Sequence, residues 1–264
     1  MPETPRTARP HYQPLPWDTA HYGMQVGRID GDPRDAHALA EALDQARSAG
    51  ARLVYFLHEP AFTVDEELLH GYGGRRVAGY VRLSRPLPPL PSEGLAPRPG
   101  LSLEVFAGPA DDPHVLALGV GAGWLSRFRA DSRLPAEKCD ELYTIWTRRS
   151  ILGELADETL VARLDGIPVG LVTYRARPAG CEIGLVGIAP AARGRGIGKA
   201  LMAYAHGRMS ALGHQRSDVV TQTENEGACR LYRGAGYTPV KQGAYYHFLL
   251  AEPPLAGEQS WTSR

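Results

Sequence analysis

The sequence predicts an α/β protein in which a small β-α-β-α-β domain precedes a larger domain built on a mixed sheet. Apolar runs of strand length alternate with segments of helical period along most of the 264 residues, and this alternation is typical of α/β folds. A proline-rich segment at 85–100 separates two such regions. A glycine-rich stretch at 193–198 joins a strand pattern to a helix pattern.

The first region predicts a domain at 15–84. Residues 1–14 are polar and proline-rich, which indicates disorder. The first long helix has Asp32 as its predicted N-cap, Pro33 at its first position and Gly50 beyond its end. The other predicted elements are a short helix at 64–70 and strands at 24–29, 52–57 and 76–84.

The second region predicts a domain at 101–252, after a semi-rigid linker at 85–100 and before a loose tail at 253–264. Asp165-Gly166, between two strand patterns, predicts a tight hairpin. The predicted strands are 101–106, 158–164, 168–175, 182–189, 218–223 and 244–250, and the predicted helices lie around 113–128, 135–155, 198–212 and 226–235.

Charge and cysteine content limit the classes of function. The chain has 29 basic and 29 acidic residues, so no net charge favours nucleic acid or a membrane surface. Cys139, Cys181 and Cys229 form no C-x-x-C pair, which favours reduced thiols and predicts no metal site. No apolar run approaches the ~18 residues of a membrane span, and MPETPRTARPHYQPLP lacks the apolar segment of a signal peptide. We therefore expect a cytoplasmic protein without nucleic-acid or membrane partners.

The stretch RGRGIGK at 193–199 places three glycines where a helix begins. Glycine inside regular structure costs roughly 0.5–1 kcal/mol relative to alanine, so the bare backbone must have another use. The first N–H groups of a helix lack intrahelical partners, and glycines allow several of them to face one anion. Arg193, Arg195 and Lys199 add positive charge, so the pattern indicates a phosphate or pyrophosphate site, with a glycine-rich turn and solvated arginines as the alternative. A Walker loop is excluded because Arg193 and Ala200 replace its glycine and hydroxyl residues.

Arg193, Gly196 and Gly198 match the signature Gln/Arg-x-x-Gly-x-Gly/Ala. This pattern closely resembles the pyrophosphate loop of the GNAT N-acetyltransferase superfamily. The resemblance implies acetyl-CoA as co-substrate and a GNAT mixed sheet with splayed central strands, preceded by a smaller, truncated GNAT-like domain. It also implies that backbone groups at the end of the 182–189 strand pair with the pantetheine arm, as an added strand does. The residues so implied in acetyl-CoA binding are Val186, Gly187, Ile188, Arg193, Gly194, Arg195, Gly196, Ile197, Gly198 and Lys199.

The segment TQTENEGACRLYRGAGYTPV at 221–240 resembles the second half of the same site. The family assigns the asparagine, here Asn225, to pantetheine or nearby backbone. It assigns the tyrosine, here Tyr232, to the sulfur, as the acid for the departing thiolate. The family's arginine just before the tyrosine is Leu231 here, and Arg230 lies one position earlier. Asn225 has an alternative role as a helix N-cap. Tyr232 has an alternative role as an aromatic residue of the core.

The group that removes the amine proton is less well defined. Glu182 opens a strand where several GNAT enzymes carry a glutamate base, and a solvated strand end is its alternative role. A water relay, or an amine that is already neutral, needs no such base. Cys181 and Cys229 lack the neighbouring base that a covalent acetyl-cysteine requires. Backbone N–H near Ile188 is the expected oxyanion site.

The first 85 residues and segments such as WLSRFRAD at 124–131 resemble the bacterial TDP-fucosamine acetyltransferases. The resemblance covers most of 14–250 and implies transfer to the amino group of a nucleotide-linked amino sugar. Phe128 is the candidate for stacking and Arg129 for a phosphate, with a buried ring and a solvated arginine as alternatives. Other hypotheses for the acceptor are another metabolite, an antibiotic or a protein amine. A different hypothesis for the function is a sensor that binds acyl-CoA without catalysis. The expected partner is a small-molecule amine, and a homodimer is compatible with this class.

Overall fold

The computed structural model describes residues 9–31, 33, 35–59, 63–88 and 99–250. The chain divides into two compact units. Unit 1 comprises Met1–Ala78 and Gly243–Arg264, and unit 2 comprises Gly79–Gln242. Both units mix helices with strands, so the predicted α/β class is confirmed.

The described elements follow one another in the alternating order that the sequence predicts. Up to the predicted linker they are β1 (His11–Pro14), α1 (Pro16–Tyr22), β2 (Val26–Asp30), α2 (Ala36–Ser48), β3 (Leu53–His58), α3 (Glu66–Gly71) and β4 (Gly74–Pro86). After it they are β5 (Leu101–Val105), α4 (Pro113–Ala122), α5 (Arg127–Ala130), α6 (Ala136–Ile151), β6 (Glu158–Leu164), β7 (Ile167–Arg177), β8 (Gly180–Ile188), a 3-10 turn (Pro190–Ala192), α7 (Ile197–Ala211), β9 (Arg216–Thr221), α8 (Glu226–Gly234) and β10 (Thr238–Leu249).

Unit 1 is a sheet in the order β1-β2-β3-β10, in which only β2 and β3 run parallel. Helix α2 covers one face of this sheet with an apolar stripe of Leu39, Leu43 and Ala46. Phe56 of β3 and Phe248 of β10 complete that core. Because both rings are almost fully buried, residues 243–250 belong to the core of unit 1.

Two expectations for the N-terminal segment need correction. Residues 11–14 were expected to be disordered, but His11–Pro14 forms β1, and the ring of Tyr12 lies over Gly27 of β2, where a Cβ would come within 2.1 Å of it. Tertiary pairing therefore outweighs the polar composition; residues 1–8 lie outside the described part. The N-cap of α2 is Asp35, whose carboxylate accepts a 2.9 Å hydrogen bond from the Ala38 N–H. Asp32, the predicted cap, lies outside the described residues.

Unit 2 is a sheet in the order β4-β9-β8-β7-β6-β5. Strands β8 and β9 run parallel, and their register pairs extend only from Cys181–Ser217 to Ile183–Val219. Beyond Ile183 the two strands separate, so the predicted splay of the central strands is confirmed. The core between this sheet and α7 includes Leu201 and Met202, both inaccessible to solvent.

The structure divides the chain differently from the expected domains at 15–84 and 101–252. In unit 2, Val81–Pro86 of β4 pairs with Arg216–Thr221 of β9 in six register pairs. In unit 1, Ala244–Leu249 of β10 pairs with β3. Each unit therefore contains a strand from the other side of the predicted linker, whose residues 89–98 lie outside the described part together with the expected tail at 253–264.

The predicted hairpin between β6 and β7 is confirmed. Asp165 and Gly166 have φ of 50° and 85°, the pair of left-handed residues that a two-residue hairpin turn needs. Helices α1 and α5 were not predicted as separate elements, since segments of seven and four residues carry little periodicity. Among the described residues, no helix combines the length and the apolar character that crossing a membrane requires.

Candidate active site

The glycine-rich stretch forms the start of α7 and leaves its N-terminus open. Gly194 and Gly196 both adopt φ of 73°, and Gly196 is the N-cap. The first bond of the helix runs from the Ala200 N–H to the Gly196 carbonyl at 3.1 Å. No side chain of the described residues caps this end. The N–H groups of the first turn therefore face outward with the positive end of a 15-residue helix.

The side chains around this loop divide into two groups. Arg193 turns back and donates from Nε to the Ile188 carbonyl at 3.2 Å, which ties the loop to the end of β8. Arg195 and Lys199 are exposed, while Ile197 is buried and anchors the helix in the core. A Cβ at Gly198 would make only ordinary contacts, 3.4 Å from Leu231. Internal packing thus does not demand glycine there, and the open backbone is available to a ligand.

The end of β8 offers a free edge beside this loop. The Ala189 N–H donates to the Val169 carbonyl at 2.9 Å, and backbone groups alternate in direction along a strand. The N–H groups of Val186 and Ile188 therefore point away from β7, toward the side that β9 has left. An irregularity in the β7–β8 register precedes them, where the Leu185 N–H donates to the Thr173 hydroxyl at 2.9 Å.

The packing of α4 on β8 explains why position 187 is a glycine. A Cβ at this position would come within 2.2 Å of the Leu118 carbonyl on α4. Because that atom is backbone, it cannot move aside cheaply. The glycine therefore allows α4 to pack closely on β8, and its backbone remains in the predicted binding strand.

Tyr232 projects from α8 into the core cluster that also contains Ile197 of α7 and Ile183 of β8. The side chain is 4% exposed. Burial, and then the neighbouring Tyr237 and Cys229, raise the pKa of its hydroxyl well above the usual value near 10. Within the described part of the chain this hydroxyl forms no hydrogen bond. Tyr232 is therefore a protonated phenol that is held by packing.

Asn225 and Arg230 lie on the same helix in different settings. Asn225 caps α8, with its Oδ1 accepting from the Ala228 N–H at 3.1 Å. The amide nitrogen remains available to a ligand, so the cap and the predicted role are compatible. Arg230 lies on the exposed face and pairs with Glu226 at 2.9 Å. An exposed pair of this kind contributes little to stability, so Arg230 is free to exchange partners.

Glu182 lies on β8, six residues before Ile188, or about 20 Å along the strand. Its carboxylate pairs with the Arg177 guanidinium at 3.1 Å. Direct proton transfer from a group held near Ile188 does not reach this distance. The structure thus places Glu182 in an ion pair near the start of β8, and its role as the base stays a prediction.

The three cysteines are buried, unpaired thiols. Burial, with the nearby carboxylates of Asp157 and Glu158, raises the pKa of Cys181 to about 12. Such a thiol is a poor nucleophile at neutral pH. The described residues also contain no group of three or more His, Cys, Asp or Glu side chains that could hold a metal ion.

The predicted acceptor-binding residues belong to an aromatic cluster near α5. Phe128 is buried and meets Trp146 edge-on at 6.0 Å, so its ring packs internally. Arg129 pairs with Asp140, and its guanidinium lies 5.2 Å from the centre of the Trp124 ring. Trp124 itself is 65% exposed. The sequence analysis missed this exposed ring, although a tryptophan five residues before an arginine in WLSRFR was a usable signal.

A glycine-rich helix start with exposed N–H groups, next to a strand that has left its parallel neighbour, is the arrangement that the resemblance to the GNAT acetyltransferases implies. Residues 124–237 match the model of the Acetyltransferase (GNAT) family. The GCN5-related N-acetyltransferase from Sphaerobacter thermophilus shares the fold, with a TM-score of 0.61 over 93% of this chain and 78% of that one at 19% identity. The family match thus covers less than half of the chain, and the structural likeness, at 19% identity, shows the GNAT fold.

Two curated relatives are similar to the chain in sequence. The spore coat polysaccharide biosynthesis protein SpsD of Bacillus subtilis (strain 168) is 27% identical over 139 residues, which are 53% of this chain and 48% of that protein. The mycothiol acetyltransferase of Beutenbergia cavernae is 29% identical over 242 residues, 87% of this chain and 74% of that protein. The chain thus spans about half of the length of SpsD.

Proposed function

We propose that this protein transfers the acetyl group of acetyl-CoA to the amino group of a small molecule, for which a nucleotide-linked amino sugar is the first candidate. The observation that carries the donor assignment is the open start of α7. Its N-cap Gly196 is left-handed and no described side chain occupies the first-turn N–H groups. A pyrophosphate is the anion that such a terminus, flanked by Arg195 and Lys199, is suited to bind.

The free edge of β8 supports the same donor. The outward N–H group of Val186 can pair with an amide carbonyl of a pantetheine arm, as a strand added to a sheet edge does, and the N–H of Ile188 remains for the acyl carbonyl. Arg193 holds the loop against this edge through the Ile188 carbonyl. The start of α7 can therefore bind the pyrophosphate of acetyl-CoA, and the adjacent end of β8 can bind its pantetheine arm.

The proposed chemistry is direct attack of the amine on the thioester carbonyl. The new C–N bond forms, the C–S bond breaks, and the backbone N–H of Ile188 stabilises the oxyanion in between. Tyr232 donates its proton to the departing sulfur and regains one from solvent. Burial keeps the Tyr232 hydroxyl protonated by raising its pKa. The same low-polarity surroundings also raise the proton affinity of the thiolate. The raised pKa of Tyr232 therefore opposes the proton transfer only in part.

The route of the amine proton distinguishes two forms of this mechanism. Glu182 is the base proposed from the sequence, whereas its ion pair with Arg177 and its distance from Ile188 favour loss of the proton to water. Glu182→Gln separates them through the pH profile of kcat/KM. If water takes the proton, the variant keeps the profile and loses less than about threefold in rate; if Glu182 is the base, the acidic limb disappears with a loss of about 10²-fold or more.

The acceptor assignment rests on two features. SpsD, named for polysaccharide biosynthesis, aligns with more than half of the chain, which supports a sugar. The exposed Trp124 ring, with Arg129 beside it, combines an aromatic surface with a cation. The aromatic surface can stack on the base or sugar of a nucleotide sugar, and the cation can bind its phosphate. In this proposal Trp124 takes the stacking role that the sequence suggested for Phe128.

A second acceptor is favoured by the extent of one alignment. The mycothiol acetyltransferase of B. cavernae aligns with 87% of the chain and thus with segments of both units. Mycothiol lacking an acetyl group is therefore the second candidate acceptor.

Thiol release from acetyl-CoA in the presence of a panel of amines tests the proposal. The panel contains TDP-fucosamine, glucosamine, mycothiol lacking an acetyl group, an aminoglycoside and a lysine peptide. We expect TDP-fucosamine to give the highest kcat/KM, and Trp124→Ala to raise its KM without changing that of acetyl-CoA. Preference for any other member overturns the sugar nucleotide, and absence of acetyl-CoA binding by calorimetry overturns the donor.

A further inference from the structure

Helix α8 ends in a cap that joins Tyr232 to Tyr237. Gly236 adopts φ of 86°, the Tyr237 N–H donates to the Tyr232 carbonyl at 3.0 Å, and the Gly236 N–H donates to the Arg233 carbonyl at 3.0 Å. These two bonds define a Schellman motif, in which the residues at its two ends commonly touch. Here those residues are the two tyrosines, whose rings meet edge-on with centroids 5.8 Å apart.

The Tyr237 ring is fixed by its own hydroxyl. That oxygen lies 2.9 Å from Nε2 of His206 on α7 and 2.7 Å from the Ser217 hydroxyl on β9. All three side chains are buried. Because two partners on different elements hold the far end of the ring, its orientation is set independently of α8.

The direction of these bonds follows from Arg85 on β4. Its guanidinium lies 2.9 Å from Nδ1 of His206 and can only donate, so Nδ1 accepts. Nε2 then carries the proton of the neutral ring and donates to Tyr237, which donates to Ser217. Burial and the charge of Arg85 lower the pKa of His206 to about 4, which keeps the ring neutral. Arg85 also donates to the carbonyl of Ala235, the C-cap of α8.

We propose that Arg85, His206 and Tyr237 form a positioning chain that holds the Tyr232 ring in the orientation from which its hydroxyl meets the sulfur of the acyl donor. The proposal deepens the proposed function, since it rests on the acid role of Tyr232. No described side chain hydrogen-bonds the Tyr232 hydroxyl, so the ring contact and the cap are what orient it. The positioning chain reaches this contact from β4, α7 and the end of α8.

A double-mutant cycle tests the proposal with the best acceptor of the amine panel. Tyr237→Phe keeps the ring and removes the hydroxyl, and we expect kcat to fall about tenfold with the KM for acetyl-CoA unchanged, because small displacements of a reacting group are costly. In a Tyr232→Phe background the same change should lower kcat less than about twofold, since the group being positioned is gone. Equal losses in both backgrounds would show an independent structural effect and overturn the proposal.

Tyr174→Phe is the matched control. It removes a buried tyrosine hydroxyl that donates to Glu158 at 2.5 Å in the same core cluster. We expect a comparable fall in melting temperature with kcat unchanged. If Tyr174→Phe lowers kcat as much as Tyr237→Phe does, general loosening of the core accounts for the effect and the positioning chain is excluded.

A readout without turnover keeps this test separate from the proposed function. In protein labelled with 13C at the tyrosine ζ carbon, the Tyr232 signal is the one that Tyr232→Phe removes. We expect His206→Leu to shift and broaden that signal, and Tyr174→Phe to leave it in place; Arg85→Gln serves if His206→Leu does not fold. An unchanged signal in the folded variant overturns the positioning chain. Normal turnover by Tyr232→Phe, in contrast, overturns only the acid role.

Discussion

The two units contain the same crossover with opposite helix starts. In unit 1, β2 and β3 run parallel for three register pairs on either side of α2; in unit 2, β8 and β9 do so on either side of α7. In unit 1, the Asp35 carboxylate occupies the Ala38 N–H at the helix start. In unit 2, Gly196 leaves the start open. A carboxylate at that position satisfies one of the donors and repels a phosphate, so of these two helix starts the one in unit 2 is the better suited to an anion.

The largest effect is expected from closing the open start. Gly196→Val places a β-branched residue at φ of 73° and covers the first-turn N–H groups, so we expect acetyl-CoA affinity to fall at least about 100-fold, or about 2.7 kcal/mol. Calorimetric titration measures this loss. The control is Gly213→Val, at φ of 85° beyond the other end of α7 with nothing within 4 Å of a Cβ. The control should lose stability but keep its affinity; equal loss of affinity in both would mean that strain alone is responsible.

The next effect separates binding from chemistry in unit 2. Tyr232→Phe should lower kcat by about 10²-fold and leave acetyl-CoA affinity unchanged, because the hydroxyl acts only as the sulfur leaves. The raised pKa of Tyr232 predicts that the wild-type rate shows no loss from this group up to about pH 10. Stopped-flow or steady-state kinetics against pH measure both. A weaker acetyl-CoA complex in the variant would move Tyr232 from catalysis to binding.

The two crossover helices should also differ in their response to acid. The buried stripe of α2 is apolar, whereas α7 buries His206 against Arg85 and Tyr237. The folded pKa of His206 is about 4, below its unfolded value of about 6.5. Its neutral ring therefore supports the fold fully above pH 6.5, and this support is lost as the pH falls toward 4.

The size of this acid effect is on the order of 3 kcal/mol of unfolding free energy. Denaturant unfolding at pH 7, 5.5 and 4.5 measures it. Carboxylates such as Glu158, whose pKa is lowered by Arg208, also titrate at the acid end. The pH dependence of the free energy of unfolding is therefore compared between the wild type and His206→Gln. That variant should show a shallower loss between pH 6.5 and 4.5, and an unchanged slope would contradict the assignment.

The smallest effect is expected in unit 1. Asp35→Ala removes the cap of α2 and should lower the free energy of unfolding by about 1 kcal/mol. Acetyl-CoA affinity should not change, because this helix start binds no anion. A thermal melt and the same calorimetric titration measure both quantities. If affinity falls with stability intact, the helix start of unit 1 takes part in donor binding and the contrast between the crossovers fails.

Much of the fold followed from short stretches of sequence. The hairpin at Asp165-Gly166, the helix start at Gly196 and the cap at Asn225 depend on local backbone chemistry, and the structure shows all three. The pairing of strands did not follow. Arg85 was expected in a solvated linker, yet it lies in β4 beside β9, because periodicity reports that a face is buried and not which strand covers it.

The site shows the same limit. The glycine-rich loop was predicted from its position at a helix start and Tyr232 from a family resemblance, and their roles in binding and catalysis stay predictions. Phe128 and Trp124 were not told apart, because both are aromatic residues near one helix end and only packing buries the first and exposes the second. Asn225 could be assigned two roles from the sequence, and its geometry allows both.

A family resemblance implied an acyl donor as the ligand, and the sequence by itself indicated which backbone positions need glycine and where most helices begin and end. These properties depend on neighbours within a few residues, which the chain order supplies. Only the tertiary structure decided that β4 completes the sheet of unit 2, that β10 completes that of unit 1, and that His206 and Ser217 hold the Tyr237 hydroxyl. Those contacts join residues as far apart in the chain as Leu53 and Leu249, and chain order carries no information on such distances until the core has formed.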